Sequence, residues 1–130
     1  MEDLMAKRLP ARPFLLLMLV LGTAQGETRA EGVGPISVDA KTISVGGNGY
    51  HRSFPCNGRK LIVEGSDHVI TTSGVCSDVE ITGAKNQVDV AIAPQGTLDV
   101  AGTLHVVRWK SSGEPKQEIS GIDNKVTRVR

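Results

Sequence analysis

Few side chains in this 130-residue sequence could do chemistry, and each set is tied to a spacing that decides what it could do. Cys56 and Cys76 stand 20 residues apart, which is not the Cys-x-x-Cys spacing of a redox pair, and no local base accompanies either thiol. Glu80, Asp99 and Glu118 recur at intervals of 19 residues. Such carboxylates, brought about 5 Å apart, would bind a divalent cation or serve as acid and base on a glycan. His68 and His105 are a further pair of candidate metal ligands. Other templates fail at once. Ser66, Asp67 and His68 are adjacent in sequence, so in a strand their side chains alternate between faces and form no relay. Gly46-Gly47-Asn48-Gly49 has the composition of a phosphate-cradling loop, but no Lys-Ser/Thr follows it.

These residues are positioned by an internal repeat. Gly47, Gly65, Gly83, Gly102 and Gly121 are spaced by 18, 18, 19 and 19 residues. Apolar residues stand four and two positions before Gly65, Gly83 and Gly102 (Leu61 and Val63, Val79 and Ile81, Leu98 and Val100), and after them at five (Ile70, Val88, Val107) and, for the last two, at seven (Val90, Trp109). Period-two alternation on both sides reads as two short strands, with the glycine at the bend between them. A repeat of this length is read as stacked coils, each covering the apolar edge of its neighbour at about 4.8 Å. The calcium-binding nonapeptide version of such a coil is excluded, since only single glycines recur. The Gly47 unit, with Tyr50, Arg52 and Phe54 where later coils are polar or aliphatic, is an atypical first coil. Ile36, Val38, Ile43 and Val45 predict two half-buried strands ahead of it.

The register gives the candidate residues their places. His68, Asn86, His105 and Asn124 each lie three residues after a glycine, forming one ladder that can satisfy backbone groups left open by the bend. The two histidines are two coils apart, about 9 to 10 Å, too far for easy joint coordination of one metal. Glu80, Asp99 and Glu118 form an outward row, whose alternative reading is a solvated face that discourages edge pairing. Asp89 and Arg108 stack as opposite charges. Cys56 and Cys76 fall on neighbouring rungs, a separation that suits a disulfide contributing about 2 to 4 kcal/mol.

Units of the form Val79-Glu80-Ile81-Thr82-Gly83-Ala84-Lys85-Asn86-Gln87-Val88-Asp89-Val90, with a cysteine before each of the first two full coils, resemble the bacterial secreted domain of unknown function 3060 from about Pro55 onward. The resemblance implies export, β-rich repeats and no assigned activity. The departures are His68 and His105 in place of asparagine, and Gln117 and Arg128 in place of apolar residues, which suggest a tolerant ladder and a polar closing coil.

Residues 1–26 read as a signal peptide: Lys7, Arg8 and Arg12 precede the apolar run Phe14 to Leu21, and small residues follow. That run is well short of the about 20 residues a membrane-spanning helix needs. Residues 27–35 read as a flexible lead-in and 36–130 as the β-repeat domain. Beyond the signal, 12 basic and 12 acidic residues remain, interleaved, which excludes a nucleic-acid binder with one basic face. The only aromatic residues there are Tyr50, Phe54 and Trp109, too few for base-stacking or glycan-stacking clefts.

The expectation is an all-β parallel solenoid of four to five coils, with an antiparallel β-sandwich as the alternative. The expected function is a non-catalytic structural or interaction module, exported to the periplasm or beyond. No cofactor or catalytic residue is expected. Its partner would be a protein or glycan of the cell envelope, with no nucleic acid and no membrane contact after signal removal. A polysaccharide-acting enzyme of β-helix type and a cation-dependent adhesion module are the alternatives.

Overall fold

The computed structural model describes residues 31–130; the signal-peptide reading of 1–26 and the first residues of the lead-in lie outside the described residues. The described chain is a β-solenoid of about five turns, with no helix among the described residues. Its strands are β1 (Ile36–Val38), β2 (Thr42–Val45), β3 (His51–Pro55), β4 (Lys60–Val63), β5 (Val69–Cys76), β6 (Asp78–Ile81), β7 (Gln87–Ile92), β8 (Thr97–Val100), β9 (Val106–Lys110), β10 (Lys116–Ile119) and β11 (Lys125–Arg128). One sheet runs in the order β10-β8-β6-β4-β2-β1 and the other β11-β9-β7-β5-β3. Every pairing between these strands is parallel except β1 with β2. The antiparallel-sandwich alternative is thereby set aside.

The core lies between the two sheets and is made of the rows that the alternation predicts. Ile43, Leu61, Val79 and Leu98 stack in one column, and Val45, Val63, Ile81 and Val100 in the next; each is buried. Ile70, Val88 and Val107 supply the facing sheet. Small aliphatic side chains dominate because each inner column is filled by one residue per rung.

The corner between the sheets sets the stacking distance. Gly83 has φ +106, and a Cβ placed there would come within 1.9 Å of the Gly65 carbonyl oxygen. The same oxygen accepts hydrogen bonds from the Ala84 backbone N–H and the Asn86 side chain, both at 3.0 Å. The coil therefore cannot move away from a larger residue without breaking the ladder. Two positions on, Asp67, Lys85, Leu104 and Asp123 all take φ near +60, a left-handed conformation that needs no glycine but is uncommon for leucine.

Both ends of the stack are closed. At the N-terminal end β1 folds back on β2, Val33 pairs with Asn48, and the Tyr50 ring stacks on His68 at 5.6 Å. Val33–Pro35, read from sequence as part of a flexible lead-in, thus belong to this cap: their backbone groups bond to Gly46 and Asn48. Asp39 closes the β1–β2 turn by accepting the Lys41 and Thr42 backbone N–H groups, and these bonds hold its carboxyl below the ordinary range. At the other end the Arg128 guanidinium lies over Trp109 at 5.0 Å and donates to Glu114 and to the Ser111 and Gly113 carbonyls. The polar closing coil predicted from Arg128 takes this form.

Gly83→Ala should cost more than about 3 kcal/mol, through strain and collision with a backbone atom, read from the midpoint of urea unfolding. A loss under about 1 kcal/mol would mean the corner is not rigid. For Asp39 the sign follows from its depressed pKa: its support of the turn is complete above the unfolded-state value and is lost as pH falls through the folded one. The Lys41 and Thr42 amide resonances should therefore titrate together with a midpoint below about 3.9; a midpoint at or above it would disconnect Asp39 from the turn.

Candidate functional site

The two cysteines are buried and joined, with Cα atoms 5.0 Å apart. Their 20-residue separation exceeds the 18-residue coil because β5 carries a bulge: Thr71 pairs with Asp89 and Val75 with Ala91, so extra residues loop out around Ser73 and Gly74. Cys76 thereby lands beside Ile92, in a fully buried row. In the sequence the bulge shows only as the excess of the cysteine spacing over the coil length. Both thiols are consumed by the bridge, and no free cysteine remains.

The histidines are consumed differently. His68 Nδ1 accepts the Tyr50 N–H, Asn86 Oδ1 accepts the His68 N–H, His105 Nδ1 accepts the Asn86 N–H, and Asn124 Oδ1 accepts the His105 N–H. Each link measures 3.0 to 3.2 Å. The other end of each side chain turns to a carbonyl four residues earlier: Glu64, Thr82, Ala101 and Ser120 in turn. Since Nδ1 must accept, Nε2 must donate, which fixes both rings in the neutral Nε2–H tautomer. Side chains thus bond to backbone rather than to one another, and neither histidine has a nitrogen left for a metal. Ser66 and Asp67 do not join His68 in a relay, because its ring is fully buried while they sit on the outer corner.

Of the surface candidates, Glu80, Asp99 and Glu118 are brought together in one outward column, in direct register on β6, β8 and β10. Lys60 lies 3.8 Å from Glu80 and Lys116 lies 3.0 Å from Glu118. A shallow depression beside them is lined by Lys60, Asp78, Glu80, Thr97 and Asp99, with Asp78 Oδ1 accepting the Thr97 N–H. These are half-exposed pairs, each worth little in water. Among the described residues no group of three or more His, Cys, Asp and Glu side chains is placed to hold a metal ion. On the other sheet Arg108 lies 3.6 Å from Asp89, the stacked opposite charges expected from sequence.

His105→Asn should be far milder than His105→Leu, because asparagine supplies the same acceptor and donor, as Asn86 does one rung away. Leucine leaves the Asn86 N–H and Ala101 carbonyl unpaired, at about 1 to 3 kcal/mol each. Equal losses in thermal unfolding would mean the slot is held by volume alone.

Comparison with known proteins places this repeat in a family without an assigned activity. Residues 63–121 match the family model DUF3060, described as a protein of unknown function. No curated protein and no solved structure matches the chain.

Proposed function

Residues 63–121 match the DUF3060 family model, and from that premise we propose that the chain is an exported, non-catalytic structural or interaction module acting on a protein or glycan of the cell envelope. The observation that carries this reading is that the candidate side chains named above, Asp99 excepted, are spent on architecture. The cysteines form a bridge, both buried histidines have each ring nitrogen hydrogen-bonded, and Glu80 and Glu118 are paired with lysines. What faces solvent is the outer faces of two sheets. Export is supported by the basic and apolar pattern of residues 1–26 and by a disulfide, which persists in an oxidising compartment.

Cation-dependent adhesion is kept as a second reading because Glu80, Asp99 and Glu118 stand in one column. Thermal melts of the purified protein separate the two. Reductant should lower the melting temperature by the equivalent of about 2 to 4 kcal/mol, while calcium and chelator should leave it unchanged. A calcium-dependent rise that Asp99→Asn abolishes would replace the module reading with adhesion.

A further inference from the structure

On the outer face of the β5–β7–β9 sheet, the bulge in β5 makes a wall. Val75, Ala91 and Lys110 occupy the same outward row on three successive strands, by direct pairing. Ala91 is the small member, so a cleft runs above it between Val75 and Lys110, whose backbones stand about 10 Å apart, two strand spacings. The cleft continues past Pro94, and Val129 and Arg130 form its far side. Its volume is about 380 Å³, the size of a small-ligand site.

The charges around it are uneven. Arg108 and Arg128, on the same sheet, are paired with Asp89 and Glu114. The Lys110 and Arg130 side chains line the cleft and form no ion pair with an acidic side chain of the described residues. Two cationic side chains at the edge of an apolar trough suit a ligand with one negative end and an apolar body. A neutral glycan would find no aromatic platform here, and a polyanion would leave the apolar floor uncovered.

We propose that this cleft binds a soluble amphiphilic anion: a carboxylate on a short unbranched apolar chain, with the chain over Ala91 between Val75 and Pro94 and the carboxylate at Lys110 and Arg130. The proposal deepens the interaction-module reading by naming a ligand for one face, and it rests on that reading.

The test is an amide-resonance titration of the purified protein with sodium octanoate, with octanol and acetate as controls. Octanoate should shift Val75, Ala91 and Lys110 saturably and bind at least about tenfold more tightly than either control. Lys110→Ala combined with Arg130→Ala should weaken octanoate by about tenfold and leave octanol unchanged. Ala91→Leu, an outward substitution, should block the trough while leaving the melt intact. Equal affinity for octanol, no saturable response to octanoate, or binding only to phosphatidylglycerol vesicles would each overturn the proposal. Failure here leaves the reductant and calcium melts standing, so loss of this ligand is distinguishable from loss of the module reading.

Discussion

The structure depends on the close approach of one backbone to the next at the glycine corner. At Gly65, Gly83, Gly102 and Gly121 an added Cβ would meet the preceding glycine's carbonyl oxygen at 1.7 to 2.0 Å. That contact fixes the rise per coil on one edge of the stack, and the strand ladders must then follow it in register. Parallel strands with no slip between Leu61, Val79 and Leu98 are its consequence. The His/Asn ladder lies three residues beyond and ties the same corner from inside. Asn86 and Asn124 reach the glycine carbonyl of the preceding rung as well as the carbonyl four residues back, whereas His68 and His105 bond only the latter. The slot thus tolerates two side chains that differ in reach because both offer an acceptor at one end and a donor at the other.

A stack of open coils needs ends, and the two ends are closed by related means. Arg52 lies over Phe54 at 5.4 Å and Arg128 over Trp109 at 5.0 Å. Each arginine stands in register with a buried apolar residue of the neighbouring coil: Arg52 pairs with Ile70, and Arg128 with Trp109. A guanidinium covers an aromatic face while leaving its charge in water, so it can end an apolar column that a further aliphatic would only extend. At the N-terminal end β1 adds an antiparallel strand, which changes the pairing geometry on that edge of the sheet.

Most of this was legible because a solenoid repeats its reasons. Alternation at Val79 and Ile81, or at Val88 and Val90, is seen again one coil later, so each reading checks the next. What was not legible are features that occur once, and one that repeats without a repeating residue type. The bulge at Ser73 and Gly74 left only an excess of two residues between the cysteines as its trace. The left-handed slot two residues after each glycine holds Asp67, Lys85, Leu104 and Asp123, types too varied to announce a common conformation. Arg128 reads in sequence as a lost apolar position; only the fold brings it over Trp109. Val33–Pro35 carry no periodicity, yet the open edge of β2 recruits them.

The same logic bears on function. In a single-copy site, a buried histidine with an asparagine nearby suggests chemistry; in a repeat, the residue in the equivalent place on the next rung shows what the slot requires. Asn86 sits between His68 and His105, accepts the N–H of the rung before it, and donates to a carbonyl four residues back, as both histidines do. A slot that asparagine fills with the same bonds does not demand an imidazole. Function in this fold is therefore to be sought where the repeat is broken rather than where it is kept. On the described surface the bulge in β5, beside Lys110 and Arg130, is such a break.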